Sequence, residues 1–137
     1  MCLKVMLVDD EPFILKGLTM LIDWGKEDCE IVKTAANGQE AYEFLKENPK
    51  EGVDLILTDV EMPVMNGLDT VRAIRALDRP DAAEIPIIAM SANAFSDDIQ
   101  QSLDAGFNAH VAKPIDASLL AQTLRKFCLL YTSDAAD

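Results

Sequence analysis

Residues 3–12 read Leu-Lys-Val-Met-Leu-Val-Asp-Asp-Glu-Pro, an apolar run that ends in three acidic residues and a proline. Such a run predicts a strand, and Pro12 suits the first turn of a helix, where its missing N–H would have no intrahelical partner. After it, apolar side chains recur at spacings of three and four, which indicates one buried helix face. These side chains are Ile14, Leu15, Leu18, Leu21 and Ile22. The stretch therefore predicts a strand that leads directly into a helix, with Asp9 and Asp10 at the junction.

The same alternation continues along the rest of the chain. Further short apolar runs predict strands at residues 31–35, 53–58, 85–90 and 107–112. Segments with helical spacing follow them, three of which start at the capping residues Asn37, Ser96 and Asp116. Five strands alternating with five helices predict an α/β fold in which helices cover both faces of a parallel sheet. Ligands of such sheets bind beyond the carboxyl ends of the strands, where the strand order reverses.

The composition fits one globular domain. Of the 137 residues, 50% are apolar and 26% are charged, and domains most often contain about 100 to 150 residues. The three cysteines lack CxxC spacing, so neither a disulfide framework nor a zinc cluster is predicted. The net charge of −12 disfavours nucleic acid and anionic lipid. Because no apolar run reaches the roughly 20 residues of a membrane helix and no signal peptide is evident, we expect a cytoplasmic chain that contacts proteins and cations and no membrane.

Residues 128–137 read Cys-Leu-Leu-Tyr-Thr-Ser-Asp-Ala-Ala-Asp and resemble a translated transposon adapter from a sequencing library. The alternative is a natural helix end with a polar tail. On the first interpretation, residues 1–127 are the natural domain, their net charge is −10, and the gene continues into a further domain. Sequencing the locus past codon 127 tests this prediction, and the same ten codons in genomic DNA would refute it.

Polar side chains with complementary chemistry follow four of the predicted strands. Asp9 and Asp10 follow the first, Asp59 the third, Ser91 the fourth and Lys113 the fifth. Three carboxylates brought together repel one another and raise one another's pKa unless they share a cation. Carboxylate oxygens favour Mg²⁺ or a similar hard ion such as Mn²⁺. The cluster therefore predicts a metal site.

A metal alone does not explain Lys113 and Ser91. A phosphoryl group on a carboxylate explains both, because an ammonium neutralises its charge and a hydroxyl hydrogen-bonds to one of its oxygens. Carboxylates do accept phosphoryl groups as acyl phosphates, and Asp59 is the best candidate, since the other two aspartates are better placed to hold the ion. Taken singly, the residues also have ordinary interpretations. These are a helix N-cap for Asp10, a loop carboxylate for Asp59, a turn residue for Ser91 and a solvated strand end for Lys113.

Four stretches resemble the signature blocks of the receiver domains of response regulators, the CheY-like family of bacterial two-component signalling. They read Val-Asp-Asp-Glu-Pro (8–12), Leu-Thr-Asp-Val-Glu-Met-Pro-Val-Met-Asn-Gly (57–67), Ala-Met-Ser-Ala-Asn-Ala-Phe (89–95) and Ala-Lys-Pro-Ile (112–115). The resemblance covers nearly all of residues 3–127, with the blocks in the family's order and spacing. It implies a flavodoxin-like fold, a doubly wound five-stranded parallel sheet of order 2-1-3-4-5 with five helices.

The resemblance also implies a role for each residue at the strand ends. Asp59 is then the phosphoacceptor and a metal ligand, and Asp10 is a direct ligand of Mg²⁺ or Mn²⁺. Asp9 belongs to the metal site through water, and Glu61 contributes its backbone carbonyl. Lys113 pairs with the phosphoryl group.

Three further features follow from the same resemblance. Ser91 is the switch hydroxyl, and His110 stands where the family places a rotating aromatic switch residue, usually tyrosine or phenylalanine. The alternative for His110 is a half-buried strand histidine with no switching role. The peptide bond between Lys113 and Pro114 is expected to be cis, a form that is essentially confined to X-Pro bonds.

Glu61 and Asn93 stand two residues beyond Asp59 and Ser91, positions that border the path of the attacking water in the family. We expect them to tune the lifetime of the phosphorylated state. The alternative is ordinary loop solvation, and phosphoryl lifetimes that do not change when both residues are exchanged would reject the tuning role.

The resemblance implies a signalling switch and no enzyme. A histidine kinase or phosphotransfer protein donates the phosphoryl group to Asp59. The face made by the fourth helix, the fifth strand and the fifth helix then changes shape and controls an output domain or protein, with a phosphorylation-dependent dimer as a further partner. The only reactions expected of the chain itself are self-phosphorylation from small donors and autodephosphorylation.

Two alternative functions remain open at this point. One is a degenerate receiver that serves as a phosphorylation-independent interaction module, although such members tend to lose one of the five strand-end residues that this chain retains. The other is an aspartyl-phosphate phosphatase. Such enzymes typically carry an aspartate two residues after the nucleophile, where this chain has Glu61, and they need a cap domain for which there is little room. No response to Mg²⁺ or to a phosphate mimic would favour the module.

Overall fold

A computed structural model describes residues 3–48, 52–59, 67–77, 85–91, 106–112 and 115–136. Its strands are β1 (Leu3–Val8), β2 (Cys29–Ala35), β3 (Leu55–Asp59), β4 (Ile87–Ser91) and β5 (Ala109–Ala112). The helices in these ranges are α1 (Pro12–Leu21), α2 (Gly38–Glu47), α3 (Gly67–Arg75) and α4 (Ala117–Ala136). The helix predicted to start at Ser96 lies outside the described residues. All five predicted strands are therefore confirmed; β1 has the predicted bounds, and the other four differ from their predictions only at the ends.

The five strands form one parallel sheet of order β2-β1-β3-β4-β5, as predicted. β1 lies between β2 and β3, so the chain moves outward in one direction from β1 to β2 and in the other direction from β3 to β5. The strand order reverses at β1 and β3, and their carboxyl ends flank the crevice in which ligands of this architecture bind.

The central strands are buried on both faces, which is why their sequences are almost wholly apolar. One face packs against α1 and α4, and the other packs against α2 and α3. The first layer includes Leu7, Leu57, Ile88, Leu18, Leu120, Leu124 and Phe127. The second includes Met6, Ile56, Ile87, Ala41, Leu45, Val71 and Ile74. Burial on both faces holds the strand ends in fixed positions relative to one another.

Helix α2 begins at the capping residue Asn37 that the sequence predicts. The side chain of Asn37 accepts a hydrogen bond from the backbone N–H of Glu40 (2.8 Å), and the carboxylate of Glu40 accepts one from the N–H of Ala36 (3.3 Å). At the other end of the chain, Asp116 accepts a hydrogen bond from the N–H of Leu119 (3.1 Å) at the start of α4. Both caps occupy backbone donors that have no intrahelical partner.

The buried face of α1 is narrower than the periodicity predicts. Leu18 is buried, and Ile14, Leu15 and Ile22 pack partly against the core. Leu21, which the pattern placed on the same face, is exposed because it is the last residue of the helix. Trp24 follows α1 and is buried, with its indole N–H donating to the carbonyl of Leu18 (3.1 Å).

Helix α4 is the longest helix in the described part of the chain, with 20 residues. It continues through Ala136 and so includes most of the predicted non-native tail, whose origin stays a prediction. Nowhere in the described ranges is a helix both long and apolar enough to cross a membrane.

A bidentate ion pair joins the loop before β2 to α4. The Nε and Nη2 atoms of Arg125 donate to the two carboxylate oxygens of Glu27, at 2.7 and 2.8 Å. These hydrogen bonds, together with the positive charge, hold the pKa of Glu27 below its ordinary value. The pair links two segments that lie 98 residues apart in the sequence.

Replacing Glu27 with glutamine is expected to lower the free energy of unfolding at neutral pH and to have no effect in acid. Because the folded chain lowers the pKa of Glu27, the stabilisation is fully present above the ordinary glutamate pKa and is lost as the pH falls through the lowered value. Urea unfolding of the unmodified chain and of Glu27→Gln, at neutral and at acid pH, measures the difference in the free energy of unfolding. The exposed Glu30 provides the control substitution Glu30→Gln. The same difference at both pH values would contradict the role of the ion pair.

Candidate functional site

Three aspartates meet at the carboxyl ends of β1 and β3. Asp9 and Asp10 follow β1, and Asp59 is the last residue of β3. One carboxylate oxygen from each lies within 4.8 Å of those from the other two. Asp9 and Asp59 are buried, and Asp10 is more exposed than either. The structure thus brings together the three carboxylates that the sequence predicts as a cluster.

Strand register explains how residues 50 positions apart come together. Val8 is paired with Thr58 in the parallel ladder between β1 and β3. The residues that follow them, Asp9 and Asp59, therefore leave the sheet at the same level. The N–H of Asp9 also donates to the carbonyl of Ala35 at the end of β2 (3.1 Å), which fixes the chain as it leaves β1.

The side chain of Asp9 is held against the start of α1. Its Oδ1 atom accepts a hydrogen bond from the backbone N–H of Glu11 (2.9 Å). The N-cap residue of α1 is Glu11, whose own side chain makes no capping bond. The ordinary interpretation of Asp10 as the N-cap is therefore wrong.

The donor set fits a divalent cation. Three carboxylates within 4.8 Å of one another repel, and burial of two of them deprives them of the water that would otherwise reduce this repulsion. A hard cation with carboxylate ligands offsets the repulsion directly. Asp9, Asp10 and Asp59 are thus suited to hold Mg²⁺ or Mn²⁺.

Ser91 lies on β4, the strand next to β3, and His110 lies one strand further out, on β5. Ser91 is the buried last residue of β4, and the residue before it, Met90, is paired with Asp59. The hydroxyl-bearing residue is therefore one position beyond Asp59 on the neighbouring strand. His110 is half-buried on β5 and is paired with Ala89.

The remaining predicted site residues lie outside the described residues. They are Glu61, Asn93, Lys113 and Pro114, so the predictions for the carbonyl ligand, the lifetime residues, the phosphoryl-pairing lysine and the cis bond remain predictions. In sequence, Lys113 directly follows Ala112, the last residue of β5, which is paired with Ser91.

Sequence reasoning missed the contact between Asp9 and the N–H of Glu11. A possible signal was the spacing, because an aspartate two residues before a backbone donor commonly accepts its hydrogen bond in a turn. Sequence reasoning considered a capping role for Asp10 and none for Asp9.

Comparison with known protein families gives one match over most of the chain. The family is described as "Response regulator receiver domain" and matches residues 5–125.

Two curated relatives show where similar sequences occur. An uncharacterized 14.6 kDa protein from the sodA1 3′ region of Leptolyngbya boryana is 33% identical over 97% of this chain and 95% of its own length. The signal transduction histidine-protein kinase BarA of Escherichia coli K12 is 32% identical over 93% of this chain. The match spans only 13% of the length of BarA, so the similarity concerns one segment of that kinase.

Solved structures show the same architecture. The receiver domain of AraT, a response regulator from Geobacillus stearothermophilus, aligns with a TM-score of 0.83 at 25% identity, over 98% of this chain and 99% of that one. The receiver domain of the sensor histidine kinase PA1611 from Pseudomonas aeruginosa PAO1 aligns with a TM-score of 0.75 at 28% identity, over 93% of this chain and 98% of that one. It is described with a magnesium ion coordinated in its active site cleft.

Proposed function

The chain belongs to the response regulator receiver domain family of two-component signalling, and from that premise we propose that it is a switch that takes a phosphoryl group on Asp59. The observation that supports this proposal is the meeting of Asp9, Asp10 and Asp59 at the crevice between β1 and β3. The chain is homologous to receiver segments of histidine kinases. A histidine kinase or a phosphotransfer protein is therefore the proposed donor.

Asp59 is the proposed nucleophile. One of its carboxylate oxygens attacks the phosphorus of a phosphohistidine whose other ring nitrogen carries a proton. The phosphorus–nitrogen bond breaks with its electron pair going to the imidazole, which keeps that proton. An acyl phosphate forms on Asp59 and a neutral histidine leaves. Because Asp59 is the last residue of a strand buried on both faces, its carboxylate is held in place before the donor arrives.

Receiver domains bind Mg²⁺ in their acidic site, and the cluster in this chain has the ligands for it. When bound, the cation would neutralise the clustered carboxylates and the oxygens of the incoming phosphoryl group. We propose that Asp10 binds it directly, Asp9 through water, and Glu61 through its backbone carbonyl. We propose that Mn²⁺ can take the place of Mg²⁺ in this site.

Lys113 and Ser91 are proposed to stabilise the phosphorylated state. The ammonium of Lys113 pairs with the phosphoryl group, and the hydroxyl of Ser91 donates to one of its oxygens. Ser91 is buried at the end of the strand next to β3, which is consistent with this role. Glu61 and Asn93 are proposed to set how quickly water removes the phosphoryl group.

The proposed output is a change in the face formed by residues 96–105, β5 and α4. Movement of Ser91 toward the phosphoryl group leaves space that His110 enters. The altered face then binds an output domain or protein, or a second phosphorylated copy of the chain. The family is regulatory, so self-phosphorylation from small donors and autodephosphorylation are the only reactions proposed for the chain itself.

Incubation with acetyl phosphate tests the proposed function. With Mg²⁺ present, intact mass spectrometry is expected to show a gain of one phosphoryl group. Removing the cation with EDTA is expected to prevent the gain, because the acidic cluster would then repel the dianionic donor. A folded, Mg²⁺-binding chain that gains no mass would favour the phosphorylation-independent interaction module.

Mg²⁺ is also expected to stabilise the folded chain. A ligand that binds only the folded state at about one hundred times its dissociation constant adds about 2.7 kcal/mol to the free energy of unfolding. Urea unfolding with and without Mg²⁺ measures this difference, which is expected to shrink in Asp10→Asn. The matched control is Glu47→Gln, which removes an exposed carboxylate at the end of α2. Equal stabilisation of all three chains would contradict the assigned metal site.

A further inference from the structure

Arg75, the last residue of α3, reaches across to the turn before β5. Its Nη2 atom donates to the carbonyl of Gly106 (2.9 Å) and to the side-chain oxygen of Asn108 (2.8 Å). The guanidinium is partly buried, and this burial lowers the pKa of Arg75 below its usual range. Arginine nevertheless stays protonated in proteins. A charged, partly buried donor on α3 is thus bonded to two residues that lie 31 and 33 positions later in the sequence.

Asn108 connects the same arginine to β4. Its side-chain oxygen also accepts a hydrogen bond from the N–H of Ile87 (2.9 Å), and its own N–H donates to the carbonyl of Ile87 (2.8 Å). Ile87 is the buried first residue of β4. The side-chain oxygen of Asn108 therefore receives one donor from α3 and one from β4. We call the three residues Arg75, Asn108 and Ile87 the clasp.

The chain passes close to α3 at this point. Gly106 has a φ of +121°, a conformation that side chains rarely adopt. A Cβ atom at this position would lie 3.5 Å from Val71 and 3.6 Å from the side chain of Arg75. These are ordinary contact distances, so the positive φ, and not a lack of space, favours glycine at this turn.

The clasp lies at the start of a short strand at the edge of the sheet. β5 has four residues and, among the described strands, pairs with β4 alone, while Val111 anchors it in the core. A slip of one residue would turn its side chains to the opposite face of the sheet. His110 comes two residues after Asn108, and Lys113 directly follows the strand. The clasp therefore fixes the register of the strand that carries two of the proposed functional residues.

We propose that Arg75 is a positioning residue for phosphoryl acceptance, acting through Asn108 and β5 on Lys113, which directly follows that strand in the sequence. This inference rests on the proposed function. It separates two properties of the site, because the metal ligands Asp9, Asp10 and Asp59 belong to the carboxyl ends of β1 and β3. The clasp meets β3 near that strand's other end, where Ile87 is paired with Ile56, three positions before Asp59. Loss of the clasp should impair phosphoryl acceptance and leave Mg²⁺ binding intact.

The test compares Arg75→Ala with the unmodified chain in three measurements. The rate of phosphorylation by acetyl phosphate is expected to fall about 10- to 100-fold, which is the size of effect that a displacement of about 1 Å has on a reacting group. The Mg²⁺ dissociation constant, measured by calorimetry, is expected to stay the same. Amide hydrogen exchange is expected to quicken in β5 and not in β1 or β3.

Matched variants separate the clasp from general effects. Arg72→Ala removes an exposed cation one turn earlier in α3 and is expected to change none of the three measurements. Arg75→Lys keeps the charge, can reach one acceptor at a time and is expected to restore part of the rate. Asn108→Ala is expected to reproduce the loss, and combining it with Arg75→Ala should add little, since both remove the same connection.

Several outcomes would overturn the proposal. An unchanged phosphorylation rate in Arg75→Ala would do so, as would a parallel loss of Mg²⁺ affinity, which indicates general destabilisation. If Arg75→Ala does not fold, the rate and hydrogen exchange of Arg75→Lys decide in its place. If the unmodified chain takes up no phosphoryl group, the proposed function fails. The clasp is then tested by hydrogen exchange alone. Equal protection of β5 in Arg75→Ala and in the unmodified chain would reject its role in holding the strand.

Discussion

Asp59→Asn is expected to abolish phosphoryl transfer to this chain and to leave it folded. The carboxylate oxygen is the proposed nucleophile, and the neutral amide that replaces it does not form an acyl phosphate. Asparagine is close in shape to aspartate, so packing at the end of β3 should be retained. Because one of three clustered negative charges is removed, the metal-free variant should be at least as stable as the unmodified chain.

Intact mass after incubation with Mg²⁺ and acetyl phosphate measures this effect. The unmodified chain should gain one phosphoryl group and Asp59→Asn none. The control is Asp116→Asn, which removes an exposed carboxylate and keeps the cap at α4, since asparagine caps helices as well as aspartate. A phosphoryl group on Asp59→Asn would show that another residue, such as Asp9 or Asp10, is the acceptor.

Leu57→Ala is expected to cause the largest loss of stability among the substitutions considered. Leu57 is fully buried in β3 and is paired with Leu7 on one side and Ile88 on the other. Removing its side chain leaves a cavity between strands that are packed on both faces. Such substitutions lower the free energy of unfolding by about 2 to 5 kcal/mol, and domains have only about 5 to 15 kcal/mol in total.

Urea unfolding followed by tryptophan fluorescence measures this loss. Trp24 is the only tryptophan of the chain and is buried in the same layer as Leu57. The urea concentration at the unfolding midpoint should fall. The slope of the free energy of unfolding against urea concentration should change little. Leu119→Ala is the control, because Leu119 is 45% exposed and its loss should cost less than about 1 kcal/mol. Equal losses at the two positions would contradict the assignment of Leu57 to the core.

The fold could be predicted from the sequence because its central strands are buried on both faces. Runs such as Val53 to Thr58 are largely apolar, broken by Asp54 near the start, and strands of that kind belong to parallel sheets covered by helices. Local patterns indicated a parallel sheet, and the resemblance to the receiver family supplied the strand order. The structure confirms both. The prediction was less accurate for α1. The spacing of its apolar residues placed Leu21 on the buried face, whereas Leu21 is exposed in the structure.

The positions of the acidic residues could likewise be predicted from the sequence, since Asp9, Asp10 and Asp59 each stand one or two residues beyond an apolar run. Parallel strands bring their carboxyl ends to one edge, so residues at those ends meet there. This reasoning predicts that the carboxylates are neighbours. It does not predict which oxygen accepts from which donor, and the bond between Asp9 and the N–H of Glu11 depends on how α1 leaves the strand.

By itself, the sequence determined which residues form strands and helices and which chemical groups end the strands, because both follow from patterns only a few residues long. Only the tertiary structure decided the contacts between distant segments. The bonds from Arg75 to Gly106 and Asn108 and the ion pair between Glu27 and Arg125 join residues 31, 33 and 98 positions apart. Such contacts depend on the relative placement of whole helices and strands, which is set by packing across the core and leaves no local pattern in the sequence.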